Sequence, residues 1–283
     1  MQDAVLQSSL PFLPWMDPRT ARLPGILPVE PRADGRPDWL RVDDAFAGQM
    51  RLRDHLISTR PEAVHALSGP ARPAAQELYA RVLSDLAATP GYRIGRAEAL
   101  RPDGVAVALE AEAPLLTLGR LVQEDLCLME QAEPGGEHAL TGAILCFPAS
   151  WTLAQKIGRP LVAIHRPVAP YDEGLARRVQ RLFDAIRPEQ PLWRMNWLTY
   201  DDPALHQPRA EGESRPDPSP DSSPDIPGPH SGAAPKRMFV RCERQCLLRL
   251  PASRAVVFSI HSYVVRAATL PPEALARLIE SRH

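Results

Sequence analysis

Residues 208–236, PRAEGESRPDPSPDSSPDIPGPHSGAAPK, constrain this chain more than any other stretch. They carry almost no large apolar side chain, so they cannot bury enough surface to offset the entropy of ordering. A disordered insertion is expected there. Apolar runs flank it: PLWRMNWLTY (191–200) before, RMFVRCERQCLLRLP (237–251) after. Both read as strands, so the insertion interrupts one domain and does not link two. The chain has 32 prolines in 283 residues, roughly twice the usual share, and they also gather at the N-terminus. Residues 1–40 read as an extended proline-rich arm, and 41–283 as a single domain.

Periodicity supplies the rest of the architecture. Residues 43–58 and 73–89 read as helices, the first capped by Asp43 or Asp44 and the second carrying Leu78, Val82 and Leu86 at i, i+4, i+8. LVQEDLCLME (121–130) and HALTGAILCFP (138–148) form a candidate hairpin with a Gly-Gly-Glu turn. GVAVALEAE is ambiguous. SWTLAQKI (150–157) reads as one or two helical turns capped by Ser150. Leu161 to Ile164 read as a strand ending at His165, because Val and Ile favour strands and Pro167 cannot continue a ladder. DEGLARRVQRLFDAIRP (172–188) is the clearest amphipathic helix. Residues 254–264 pair as a strand with 237–251 across Pro251-Ala252-Ser253, and a short helix closes the chain. Helices first, then a mostly antiparallel sheet crossed by helices, make an α+β fold.

Charge and cysteine usage exclude several classes. Lys+Arg number 33 against 34 Asp+Glu, a balance that offers nothing to nucleic acid or an anionic membrane. The start lacks a basic, uninterrupted signal-peptide pattern, and no run reaches the length of a membrane span. Cys127, Cys146, Cys242 and Cys246 are too scattered for a disulfide scaffold and read as buried thiols, in keeping with a cytoplasmic protein. Phosphate loop, dinucleotide glycines, serine elbow and H-E-x-x-H are all missing from the sequence. A redox activity would therefore draw its electrons from another protein.

A few polar residues remain that could carry chemistry. His165 reads either as a loop-capping histidine or as an axial ligand to haem iron, for which a neutral imidazole on a rigid apolar backbone is suited. Lys156, Arg159 and Arg166 nearby could meet propionates or simply be solvated. Without a C-x-x-C-H, any haem would be non-covalent. Arg194 and Asn196 share one face of their strand, with Trp193 and Trp197 on the other. They read as an Arg paired with an acid at a sheet edge, or as two donors set into an aromatic-walled pocket and able to orient a water, dioxygen or small polar substrate. Glu243 and Gln245 share a face in CERQC, where a Glu243–Arg194 ion pair is the plain reading and a proton-handling or amine-binding carboxylate the sharper one. Glu124 and Asp125 raise the same question. His261, inside a strand, rivals His165 as a ligand.

Taken together, VQEDLCLME, GAILCFPASW, IHRPVAPY, PLWRMNW and VRCERQCLLRLP…VVFSIHSY resemble the haem-dependent oxidative N-demethylase family, alpha-subunit type. The resemblance covers about residues 35–205 and 237–280. It implies a PAS-like antiparallel sheet with flanking helices enclosing haem b. It also implies oxygen-dependent demethylation of a small secondary amine such as dimethylamine, giving formaldehyde and a primary amine. Electrons would come from NADPH through FMN and an iron–sulfur centre on a separate reductase subunit. Carried onto this sequence, it implies His165 as the iron ligand, with Arg166, Tyr171 and Trp193 at the cofactor, and Arg194, Asn196 and Glu243 in catalysis. A haem-binding sensor or carrier without turnover, or a haem-free binding protein of the same fold, would share most of these features.

Overall fold

The computed structural model describes residues 2–20, 25–133, 135–165, 173–210, 213 and 238–280. A 3-10 turn, Gln2–Val5, and the two-residue strand β1 (Leu27–Pro28) come first. Helices α1 (Phe46–Thr59) and α2 (Pro61–Val64) lead to β2 (His65–Leu67) and the long helix α3 (Arg72–Ala87). Short strands β3 (Arg93–Ile94), β4 (Glu98–Leu100) and β5 (Ala106–Ala108) make a separate three-stranded sheet. Then come α4 (Pro114–Gly119), the hairpin β6 (Asp125–Gln131) and β7 (His138–Ile144), and helices α5 (Leu153–Lys156), α6 (Leu161–His165) and α7 (Glu173–Ala185). Strands β8 (Leu192–Tyr200), β9 (Phe239–Arg249) and β10 (Val256–Arg266) and helix α8 (Pro272–Glu280) complete the order.

The main sheet has seven strands in the order β1-β8-β9-β10-β6-β7-β2, every pairing antiparallel. Alternation along β8, β9 and β10 divides its side chains between two faces. One face carries Met195, Cys242, Cys246, Leu248, Val257 and Tyr263. It is covered by α1, α3 and α4 at one end and by α8 with Trp15 at the other. The opposite face carries Leu192, Leu247, Phe258 and Ile260, and α5, α6 and α7 pack on it through Leu153, Leu161, Phe183 and Ile186. Arg249 at the end of β9 ties α7 down by donating to the carbonyls of Ile186 (2.8 Å) and Phe183, acceptors that a helix C-terminus leaves unmatched.

The helices over 43–58, 73–89 and 172–188, the 121–148 hairpin and the 237–264 strand pair all form where periodicity places them. Three expectations fail. The run ending at His165 is helical, not extended. Among the described residues a single bridge, Ala139 with Pro160, joins the residue just before it to β7, whose other neighbours are β6 and β2. Pro160 then starts a turn, Ile164 N–H bonding its carbonyl at 2.9 Å, so local geometry outweighs the β-propensity of Val and Ile. Ser150 does not cap a helix either: it sits at φ +66°, and Thr152 holds the cap position of α5 without a side-chain bond. Likewise α1 has Ala45 at its cap, and the Asp43 carboxylate reaches Ala45 N–H and more distant partners. Most of the insertion over 208–236 lies outside the described residues. No helix among the described residues is long and apolar enough to cross a membrane.

One buried ion pair fixes the junction of α1, β6 and the chain after β7. Arg53 Nη1 meets Asp125 Oδ1 at 2.7 Å with both side chains essentially inaccessible. Asp125 also accepts the N–H groups of Cys146 (2.7 Å) and Phe147 (2.9 Å). Arg53→Met would strand a buried carboxylate, and removing one partner of such a pair costs about 3–5 kcal/mol. Urea denaturation of Arg53→Met should register a loss of that size; a loss below about 1 kcal/mol would show the pair to be dispensable.

Candidate functional site

The sheet face beneath α5–α7 changes character along its length. Beyond the apolar group of Leu192, Leu247, Phe258 and Ile260, the register sets Arg194 opposite Gln245 and Asn196 opposite Glu243. Four polar side chains thus meet on two neighbouring strands, all half-buried. Asn196 Nδ2 donates to Glu243 Oε2 at 3.3 Å, and its Oδ1 accepts the Glu243 N–H at 3.1 Å. Gln245 Nε2 donates to the same carboxylate oxygen at 3.2 Å. The other oxygen faces Arg241 at 3.2 Å.

Arg241 is the residue sequence reading missed. It is buried, donating to the carbonyls of Leu205 (2.9 Å) and Phe147 (2.5 Å). Its cationic head therefore has one carboxylate neighbour and two backbone anchors. The signal was a charged residue inside the apolar run FVRC. The expected Glu243–Arg194 ion pair does not form, because Arg194 stands across from Gln245 and Glu243 pairs within its own strand, two residues on, with Arg241.

Arg194 is left differently. Its Nε is buried and has no hydrogen-bond partner. Burial holds its guanidinium below the ordinary arginine range, against the attraction of Glu243. A buried donor without an acceptor is costly, so this atom marks a place where a bound group can be received.

Trp193 and Trp197 lie on the opposite face and do not wall this site. Trp193 packs edge-on to Phe12 (5.3 Å between centroids) and under the Arg244 guanidinium (5.2 Å), and Trp197 faces Trp15. His165 ends α6 on the site's side of the sheet; Arg166 and Tyr171 lie outside the described residues. Among the described residues, no group of three or more His, Cys, Asp or Glu gathers as a metal site. The four cysteines are buried and free, and burial pushes their thiols up, Cys246 to about 11 and Cys146 to about 12.

His261 has its ring fully engaged elsewhere. On the face away from Arg194, its Nδ1 meets Glu124 Oε1 at 2.9 Å and its Nε2 meets Asp43 Oδ2 at 3.0 Å. With both nitrogens bound to carboxylates, neither is offered to a ligand. Glu124 and Asp125 therefore share a structural role, each in a buried ion pair.

The whole site lies within one region of family similarity. Residues 32–282 match the family model described as haem-dependent oxidative N-demethylase, alpha subunit-like. This chain belongs to that family. The match spans all four polar residues of the site, both candidate histidines and every strand of the main sheet except β1. The family's name carries haem dependence and an oxidative demethylation, and its alpha subunit-like description implies an assembly with other subunits.

The His261 triad makes stability depend on pH. Burial alone would depress the imidazole, but Glu124 and Asp43 outweigh it and raise His261 to about 9 from 6.5. A raised folded-state value stabilises in full below about pH 6.5 and is lost as pH climbs through 9. The shift corresponds to about 3 kcal/mol. Asp43 is lowered from 3.8 by His261 and its amide partners despite its burial, so its contribution fades only as pH falls below that value. Urea unfolding should weaken steadily from pH 6.5 to pH 9.5 in the wild type, and His261→Gln should flatten that slope. Equal slopes in the two proteins would remove His261 as the cause.

Proposed function

We propose that this chain is the haem-bearing subunit of an oxygen-dependent N-demethylase that acts on a small secondary amine of the dimethylamine type. The observation that carries the reading is the polar quartet Arg194, Asn196, Glu243 and Gln245, set beside the apolar group of Leu192, Leu247, Phe258 and Ile260, with the Arg194 Nε buried and unpartnered. Strand order supports the PAS-like part of the reading. Across β7-β6-β10-β9-β8 the hairpin comes first and the crossing helices α5–α7 sit between its second strand and the third. Such a sheet with helices over one face is suited to hold a flat prosthetic group between them.

The residues fit haem. Leu192, Leu247 and Phe258, only partly covered by the helices on this face, give an apolar wall, the Nε of Arg194 gives a cationic donor lacking an acceptor, and His165 ends the helix lying over the same face. His165 would hold the iron, with Arg166 and Tyr171 beside the cofactor. Trp193 no longer belongs in that group, since it packs on the other face. The haem b would sit non-covalently and supply the oxygen chemistry.

The protein's own groups would then act as follows. Arg194 orients a water or dioxygen by a charge-assisted N–H bond. Glu243 holds a proton at Oε1 or Oε2, or accepts the N–H of the protonated amine, and Asn196, Gln245 and Arg241 keep that carboxylate in one place. The apolar wall excludes bulk water, which strengthens both interactions. The overall change takes dioxygen, two electrons and two protons. It converts the N-methyl group to formaldehyde and leaves the demethylated amine and water. Those electrons would come from a separate reductase subunit carrying FMN and an iron–sulfur centre and oxidising NADPH.

Formaldehyde release from dimethylamine tests the proposal. Glu243→Gln, isosteric with the carboxylate it replaces, should lower the rate by about 100-fold or more while the haem spectrum is kept. Arg194→Gln should do the same. Haem-loaded wild type that releases no formaldehyde from any small methylamine, when supplied with electrons, would leave a sensor or carrier in its place.

A further inference from the structure

Helix α6 is only five residues long, Leu161–His165, and a helix of that length does not hold itself together in water. What holds it comes from elsewhere. Val162 N–H, one of the donors a helix N-terminus leaves unmatched, bonds Glu137 Oε1 at 2.6 Å. Ile164 C=O, one of the acceptors the C-terminus leaves unmatched, receives Lys156 Nζ at 2.6 Å. The anion sits at the positive end and the cation at the negative end, the arrangement the helix dipole favours. Both bonds are charge-assisted and short.

The approach to the helix is fixed as well. Gly158 N–H bonds Leu140 C=O (2.7 Å) and Leu140 N–H bonds Arg159 C=O (3.1 Å), locking the preceding turn to β7. Leu161 buries its side chain in the cluster shared with Phe183 and Ile186. The apolar contact alone would seat the helix; the two charged side chains at its ends fix its rotation and its length. Lys156 is 5% exposed, and burying an ammonium is expensive unless a specific partner receives it.

We propose that Lys156 and Glu137 are positioning residues: by clamping the two ends of α6 they set the backbone angle from which His165 is presented to haem iron. The inference rests on the reading of His165 as the iron ligand. Second-sphere groups that orient a ligand change metal affinity about 10–100-fold, and here the clamp acts on the ligand's backbone, one peptide away.

Haem-loss kinetics and resonance Raman spectra test it. Lys156→Met keeps the side chain's length and removes its charge. Haem transfer to apomyoglobin should then be at least about tenfold faster than in the wild type. The iron–histidine stretching band should shift and broaden, because the ligand samples more orientations. Lys156→Arg, which keeps a cationic donor, should restore both toward wild type. Glu137→Gln, at an exposed position, should move the band in the same direction and carries the test should Lys156→Met fail to fold by circular dichroism. His165→Ala serves as the control. An unaltered iron–histidine band in His165→Ala overturns the ligand reading itself. Loss of that band, together with wild-type haem loss and band shape in both the Lys156 and Glu137 variants, overturns the positioning role alone.

Discussion

Asp125 is the carboxylate on which the arrangement depends. At the first residue of β6 it takes Arg53 from α1 and the backbone N–H groups of Cys146 and Phe147 from the chain leaving β7. Phe147 also offers its carbonyl to Arg241 Nη2, and the same nitrogen lies 3.2 Å from Glu243 Oε1. One continuous set of buried polar contacts therefore runs from the helix on one face of the sheet to the carboxylate on the other. Each member is partnered by groups that cannot move without exposing a charge. A buried network of this kind contributes less to net stability than to holding one geometry. The Glu243 carboxylate is held in that one geometry.

The two faces divide the work between them. On one side the Glu124–His261–Asp43 triad, with Gln7, Gln49 and Gln123 around it, ties the N-terminal segment to β10 and the chain before β6. Its histidine is charged and saturated. On the other side the polar groups are fewer, half-buried and, at Arg194 Nε, incomplete. The two clusters differ in their basic group: both ring nitrogens of His261 are engaged, whereas Arg194 keeps one buried donor, Nε, without a partner. Both clusters contain acids and a basic group.

Much of this was legible in the residues. Stripes such as Leu78, Val82 and Leu86 in α3, and alternation such as Trp193, Met195 and Trp197 in β8, follow directly from apolar periodicity, which burial enforces. The blocks that resemble the demethylase family proved to lie within its matched region. Other features were out of reach. Whether Leu161–Ile164 extends or coils depends on which strands already flank β7, a long-range fact absent from five residues. That Glu243 would pair with Arg241 and not Arg194 depends on a cross-strand register that alternation alone leaves open by two residues. Lys156 read as a propionate partner or a solvated charge; its bond to the Ile164 carbonyl at the end of the short helix beside it was not legible in the residues.

The central claim is that haem is held from the α6 side of the sheet by His165, with His261 a structural residue. The most direct measurement is the absorption spectrum of the purified protein reconstituted with hemin, for wild type, His165→Ala and His261→Gln, before and after dithionite. The expected result is a Soret band in the wild type that persists in folded His261→Gln and is lost or shifted in His165→Ala. No Soret band in reconstituted wild type, or a band untouched by His165→Ala and abolished in folded His261→Gln, would contradict it.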